Sequence, residues 1–416
     1  MIRLIQLEMK KILNTAFFKL MLIVLCLFII SYYVFIYMNT VRPSNLIIDS
    51  EIRLQVMQAE LQKSASSSDS SKDTVDDETK AQIMHIKTLL KKEKIKLKAF
   101  KENDWQTLLA LEINHIQPKF EEGLSIRNYY TFTWPTLFTD ESLLNQYKWM
   151  YDKKVAPIYP LVFSWMTTYD EVFQDEITEK EVLKNIKYSS SGIYYLHHLF
   201  GLLFSFIGVC FFLFFFSDIV TKEGFRRNGP IHLLHTQPIH RHNILIGKFT
   251  TVILMTVFIL TGIITLSLLI GTVFDRFGDW NYPVLIYGQE YSFTFMNLSM
   301  FLSKSVILFF MILLFCYSLL FLYSILTNKA VVALGLTIIT LFIGLKWSEE
   351  AVLSSFATYV PFHYFSVSEV ITNELAVTVD NFAFSFTNGV TILCLSSVVI
   401  LLVSFVLSSL QYKHFR

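Results

Sequence analysis

Six long apolar segments divide the chain, and polar stretches separate each one from the next. They fall at residues 16–38, 197–217, 249–274, 306–326, 330–346 and 387–410. A helix needs about 20 mainly apolar residues to cross the hydrocarbon core of a bilayer. The pattern therefore predicts an all-α membrane protein with six transmembrane helices, of which the fifth is short and pairs with the fourth as a hairpin.

The N-terminal residues 1–15 have a different pattern. Apolar side chains recur at helical spacing, at Ile2, Ile5, Met9 and Ile12. The polar residues around them are Arg3, Glu8, Lys10 and Lys11. This pattern is typical of a helix that lies in the membrane interface, with its lysines toward anionic lipid headgroups. The alternative is a simple extension of the first span.

Residues 39–196 contain no apolar segment of spanning length and have the size of one domain. Helical periodicity at 51–63 and 79–100 predicts a mainly helical domain with a helical hairpin, whose tip is a flexible serine-rich linker at 64–71. An aromatic-rich region follows at 128–169. It is either the core of this domain, a substrate-contacting surface, or a collar at the level of the lipid headgroups.

The distribution of lysine and arginine predicts the orientation. Loop 218–248 holds five Lys or Arg and two acids. By contrast, the loop between spans three and four has Arg276 and, at its edge, Lys304, and the loop between spans five and six has only Lys346. Basic residues concentrate in cytoplasmic loops, so both termini and the tail 411–416 are expected in the cytoplasm. The 39–196 domain, the loop 275–305 and segment 347–386 are then extracellular. Abundant Lys, Ile and Phe favours a bacterial source, and hence a bacterial plasma membrane.

Composition limits the chemistry. The chain is 53% hydrophobic with a net charge of +1, which gives no reason to expect binding to nucleic acid. No P-loop, HExxH, GxSxG or CxxC motif occurs, so no ATPase or hydrolase site is predicted. Four histidines lie within 232–242, but no Cys, Asp or Glu accompanies them, and we expect no metal site. The middles of the apolar segments hold almost no ionisable residue, which disfavours an ion-coupled transporter.

Loop 218–248 carries a set of landmarks: Glu223, Gly224, Arg226, Leu233, Leu234, Pro238, Ile239, Gly247 and Lys248. Together with the interfacial helix and six spans, this loop resembles that of the permease subunits of type-2 ABC exporters, in the version with a large extracellular domain after the first span. Residues 225–230 depart from the Gly-Thr that often follows the glutamate in that family.

The resemblance implies that loop 218–248 contains a coupling helix, which docks on a cytoplasmic ABC ATPase present in two copies per transporter. Contacts are expected from Glu223, Arg226 and Arg227, with Leu233 and Leu234 as the apolar anchor and Pro238 at the helix end. The alternative is an amphipathic loop lying on the lipid surface. ATP and Mg would be bound by the ATPase, and no cofactor by this chain.

The resemblance also implies a re-entrant element of two short helices within 347–386 and a permease pair, either a homodimer or a heterodimer with a second permease. The aromatic outer domain and apolar spans suit an amphiphilic substrate, such as an antimicrobial peptide or a lipid-linked or other hydrophobic molecule. A second hypothesis is a membrane-anchored sensor or immunity protein, which would bind an extracellular peptide or cell-wall precursor without transport.

Overall fold

The computed structural model describes residues 2–70, 77–121, 136–161, 166–173, 187–217, 241–327, 329–354 and 356–413. It is mostly helical, which confirms the predicted fold class. The helices are α1 (Ile2–Asn14), α2 (Ala16–Asn39), α3 (Pro43–Ser70), α4 (Asp77–Glu102), α5 (Trp105–Ile116), α6 (Pro118–Glu121), α7 (Leu137–Asp152), α8 (Gly192–Leu203), α9 (Phe206–Phe216), α10 (Arg241–Phe274), α11 (Leu298–Thr327), α12 (Ala330–Ala351), α13 (Val367–Thr372), α14 (Glu374–Thr378) and α15 (Phe386–Lys413). Within the described residues, 3-10 helices cover Thr168–Phe173, Ala357–Tyr359 and Pro361–Phe365.

Among the residues that the structure describes, five helical stretches are long and apolar enough to cross a membrane, and a sixth span results if α8 and α9 are counted as one. The five are Ala16–Lys63, Asn243–Phe274, Leu298–Thr327, Ala330–Ala351 and Phe386–Leu410. The most central of these spans is α11, because 67% of its apolar window is buried, against 22% for the windows of α12 and α15. Phe309, Tyr317 and Phe321 on α11 are fully buried.

The second span differs from the single helix predicted at 197–217. It begins earlier, at Gly192, and is broken into α8 and α9, which meet at a 79° bend. Ser205 lies at the break and donates a hydrogen bond from Oγ to the Leu202 carbonyl oxygen at 2.7 Å. Gly208 follows it, and a Cβ there would lie 1.6 Å from the Leu203 carbonyl oxygen. The absence of a side chain at Gly208 is what permits this bend.

Loop 275–305 contains a two-stranded hairpin that the sequence pattern did not predict. Strands β1 (Pro283–Tyr287) and β2 (Phe293–Asn297) pair, and Glu290 and Tyr291 between them adopt positive φ. Asn373 donates from Nδ2 to the Tyr287 carbonyl oxygen at 3.1 Å. This bond connects the hairpin to the segment between α12 and α15.

That segment, residues 352–385, holds two 3-10 helices followed by α13 and α14. Phe362 packs against Gly344 of α12, where a Cβ would lie 2.4 Å from the Phe362 Cζ. Tyr364 is fully buried; its hydroxyl donates to the Thr358 carbonyl oxygen at 2.7 Å and accepts from Asn388 Nδ2 at 3.0 Å. The segment is thereby held against α12 and α15. Its depth in a bilayer stays a prediction.

The chain divides into two compact units. Residues 36–189 with 281–283 form one of them, and the three ranges 1–35, 190–280 and 284–416 form the other. The first unit has its own apolar core, supplied by α4, α5, α7 and the residues after α7. Its buried members are Ala99, Leu108, Leu109, Ile116, Leu144, Tyr147, Met150, Val155 and Leu161.

Within this unit α3 and α4 pack as the predicted hairpin, and an ion pair joins Lys101 Nζ to Glu51 Oε1 at 2.7 Å. The flexible linker predicted from Ser64 onward was wrong as far as Ser70, because α3 continues through that residue. Serine has only a modestly lower helix propensity than alanine, so a serine run can extend a helix already nucleated by packing.

The aromatic-rich region is only partly described, at 136–161 and 166–169. Two of its aromatic residues, Phe138 and Tyr147, are buried in the unit, whereas Tyr151 is exposed. The Tyr147 hydroxyl donates to the Leu161 carbonyl oxygen, and burial raises the pKa of Tyr147 well above its usual value. Of the three interpretations of the aromatic-rich region, Phe138 and Tyr147 therefore fit the first, in which it forms the core of the domain.

Candidate coupling face

The six residues expected to contact the ATPase are Glu223, Arg226, Arg227, Leu233, Leu234 and Pro238. All of them lie outside the described residues, and their roles stay predictions. The structure does describe the start of α10, which begins at Arg241 rather than at the predicted residue 249 and so includes the end of loop 218–248. It also describes the N-terminal helix α1, which packs against α10.

Leu4 of α1 and Gly247 of α10 lie in close contact. A Cβ added at Gly247 would lie 2.8 Å from Leu4 Cδ2 and 3.4 Å from Leu4 Cγ. Leu4 is buried there, and so is Gly247. A residue without a side chain lets the two helices approach closely, which gives the predicted landmark glycine a packing role.

The buried face of α1 is not the stripe predicted from periodicity. Ile2 is 73% exposed, whereas Leu4 and Glu8, one turn apart, are the buried residues of the helix. The remaining stripe residues Ile5, Met9 and Ile12 are half-buried. An amphipathic helix was predicted. In the structure its buried face is centred on Leu4 and Glu8 instead of the predicted stripe, so the buried face includes a carboxylate.

Lys10 and Lys11 are both exposed, as a headgroup-facing role requires. Lys11 also donates from Nζ to Glu8 Oε1 at 3.1 Å. Lys248, next to Gly247 on α10, is 3% exposed. Sequence reasoning used Lys248 only as a landmark and placed Glu8 among the polar residues of α1. The signal it missed is the spacing of Glu8 one turn after Leu4.

Two glycines bring the second and third spans into close contact. A Cβ at Gly271 of α10 would lie 2.4 Å from the Cα of Gly192, the first residue of α8. The Gly192 and Ile193 amides donate to the carbonyl oxygens of Arg276 at 2.8 Å and Phe277 at 3.0 Å. The residues just after the third span are thus bonded to the start of the second.

Hydroxyl groups connect other spans in the apolar interior. The Thr256 and Tyr317 hydroxyls lie 2.9 Å apart and join α10 to α11, and the Tyr323 and Thr340 hydroxyls lie 2.8 Å apart and join α11 to α12. Such bonds satisfy polar groups that would otherwise face hydrocarbon. They also fix the register of α11 against its neighbours.

An open apolar groove of about 460 Å³ lies between α11, α15 and the 3-10 helices. Its lining residues are Phe315, Tyr359, Pro361, Ile392, Leu395, Ser396, Val399 and Ile400. The described part of the chain contains no group of three or more His, Cys, Asp or Glu side chains that could hold a metal ion. The groove therefore offers shape and apolar surface rather than catalytic groups.

One family model matches the chain, over residues 2–414, and its description is an ABC-2 family transporter protein. The match includes the N-terminal helix, all the candidate spans and the unit formed by residues 36–189. No curated protein and no solved structure matches the chain.

Proposed function

The chain belongs to the ABC-2 transporter family as a membrane permease, which works with an ABC ATPase on a separate subunit, and we propose that it forms the export pathway for an amphiphilic substrate. The substrate class is an antimicrobial peptide or a lipid-linked or other hydrophobic molecule. Export takes place across a bacterial plasma membrane, with both termini of the permease in the cytoplasm.

A pair of permeases is part of the proposal, and the exposed surface of the spans carries it. The apolar windows of α12 and α15 are each only 22% buried, and that of α10 is 33% buried. In a single copy α11 and the bent pair α8–α9 are well covered, whereas the long spans α10, α12 and α15 are open to lipid or to another subunit. A homodimer, or a heterodimer with a second permease, would cover one of these faces and enclose a pathway.

In this proposal, the partner ATPase supplies the energy for transport. Two ATPase subunits bind ATP and Mg, and their closure pushes the coupling helix within 218–248. Glu223, Arg226 and Arg227 supply polar contacts, and Leu233 and Leu234 insert as the apolar anchor. The position of α1 beside the start of α10 supports this route, because a push on the loop reaches both helices.

Co-purification with the partner tests the assignment. The tagged chain is purified in mild detergent, and an ATPase with a P-loop is expected with it. Leu233→Asp with Leu234→Asp should abolish that association, because two charges cannot occupy an apolar pocket. Leu326→Asp, at an exposed position near the end of α11, is the matched control for an added charge. Association that persists in the double variant would overturn the assigned anchor, and recovery of a kinase instead would favour a sensor.

Substrate class is tested with the purified complex in lipid vesicles. Cationic antimicrobial peptides and undecaprenyl-linked molecules are added separately, and ATP hydrolysis is measured. Amphiphiles should stimulate hydrolysis by the complex, whereas small polar solutes such as glucose should not. Stimulation by polar solutes alone would contradict the proposed substrate class.

A further inference from the structure

Glu8 is a buried carboxylate on α1, the helix that packs against the start of the third span. It is 3% exposed on a helix whose other polar side chains face outward. Removing a carboxylate from water costs several kcal/mol unless nearby groups compensate for it. A simple interfacial helix needs no such group, since its polar residues remain at the lipid surface.

The neighbours of Glu8 place it at the contact between α1 and the third span. Leu4, one turn before it, contacts Gly247, and Lys248 next to that glycine is itself buried. The ammonium of Lys11 lies 3.1 Å from the Glu8 carboxylate. The buried Glu8 therefore lies one turn from the Leu4–Gly247 contact on α1, and the buried Lys248 lies next to the same contact on α10.

We propose that Glu8 is a positioning residue for energy coupling: its buried carboxylate holds α1 against the start of the third span, so that both helices move together. The position assigned to Glu8 rests on the packing of α1 against α10. Its role in energy coupling rests on the proposed function. Replacing the carboxylate by an amide keeps its shape and removes its charge.

Disulfide cross-linking tests the packing of α1 against α10 without any measurement of transport. Leu4→Cys and Gly247→Cys are introduced in a chain whose cysteines Cys26, Cys210, Cys316 and Cys394 are replaced. A Cβ at Gly247 lies 3.4 Å from Leu4 Cγ, the place that a cysteine sulfur would take, so the pair should cross-link under mild oxidation. Glu8→Gln should lower the rate of cross-linking by about threefold or more.

Two further variants make this result specific. Gln6→Ala, at an exposed position of the same helix, should leave the cross-linking rate unchanged, and Glu8→Asp should restore most of it. A cross-linking rate in Glu8→Gln equal to that of the parent would overturn the proposal. Elution as a single peak in size-exclusion chromatography separates loosening of α1 from misfolding.

The coupling is measured on the permease purified with its ATPase in lipid vesicles. A spin label at Phe258→Cys, which is 64% exposed on α10, reports ATP-dependent movement of the third span. In Glu8→Gln, ATP hydrolysis should persist while the spectral change falls by about threefold or more. An unchanged spectral response would refute the coupling role even if cross-linking slowed. Failure of the parent to bind an ATPase would instead refute the proposed function, and the cross-linking result would still decide the geometry.

Discussion

Gly192 and Gly271 lie backbone to backbone: a Cβ at Gly271 would be 2.4 Å from the Gly192 Cα and 2.6 Å from its nitrogen. The contact joins the first residue of the broken second span to the last turn of the third. Small residues at such crossings allow close helix packing in membranes, where dispersion contacts replace much of the hydrophobic driving force. Because backbone atoms cannot move aside as side chains do, this contact tolerates no added atom.

Gly271→Ala should therefore destabilise the permease, by about 1–3 kcal/mol for an overpacked contact. Gly262→Ala is the matched control, because Gly262 lies on the same helix with nothing within 4 Å of an added Cβ. Thermal unfolding followed by tryptophan fluorescence in detergent should show a lower midpoint for Gly271→Ala only. Equal midpoints for the two variants would mean that the second and third spans can move apart to accommodate the added methyl group with little loss of stability.

The bend in the second span gives a second glycine prediction. Gly208→Ala should straighten or distort the α8–α9 junction, since a Cβ there would lie 1.6 Å from the Leu203 carbonyl oxygen. Gly201→Ala, on the same span and with open space around its Cβ, should have little effect. The distance between spin labels at the exposed Ile207 and Val257 should change in Gly208→Ala and remain constant in Gly201→Ala. A constant distance in both variants would show that the bend does not depend on this glycine.

Hydrophobicity predicted the spans well because bilayer thickness fixes their length, and residues 306–326 fall inside α11 for that reason. The break at Ser205 was missed because apolar residues continue on both sides of it. The burial of Glu8 was missed because a charged residue on an amphipathic helix is expected to face water or headgroups. Both features depend on tertiary contacts, with the Leu203 carbonyl and with α10, which residue periodicity does not encode.

The β-hairpin was missed for a different reason. Strand β1 has five residues, Pro283–Tyr287, and such a short apolar run is compatible with a strand or with a loop. For the coupling residues between Glu223 and Pro238, by contrast, the sequence supplied an assignment that the structure does not test. Their assignment depends on family resemblance and loop orientation, and the described residues do not include them.

Asp170 supports the fold of the unit formed by residues 36–189, and its replacement should weaken that unit. The carboxylate is fully buried and accepts bonds from the amides of Thr136 at 2.7 Å and Thr167 at 2.8 Å, and from the Thr139 hydroxyl at 2.5 Å. Asp170→Asn places an NH₂ group against one of these donors and should cost about 2–4 kcal/mol. Limited proteolysis of the full chain should cut this unit faster in the variant.

The exposed Asp152→Asn, which makes the same chemical change, is the control for Asp170→Asn and should leave the proteolysis rate unaltered. The prediction fails if both variants resist the protease as the parent does. In that case, an asparagine amide at position 170 would replace the hydrogen bonds of the Asp170 carboxylate without loss of stability.

The N-cap of α5 provides a pH-dependent prediction. Hydrogen bonds from the side chain and amide of Thr107 lower the pKa of Asp104, which accepts from these groups at 2.5 and 3.1 Å. A lowered folded-state pKa means that the charged form stabilises the fold above the unfolded pKa of about 3.9, and that this contribution is lost as pH falls through the folded value. Asp104→Ala should cost about 1 kcal/mol at neutral pH, as is usual for a lost N-cap.

The difference between parent and Asp104→Ala should therefore shrink as the pH is lowered below about 4. Thermal midpoints of the full chain in detergent, measured from neutral to acidic pH, test this. Asp104→Asn is the informative comparison, because asparagine is also a good N-cap but does not titrate. It should retain most of the stability at neutral pH and lack the acid-dependent loss. If Asp104→Asn and the parent lose stability in parallel on acidification, the charge of Asp104 is not the source of the pH dependence.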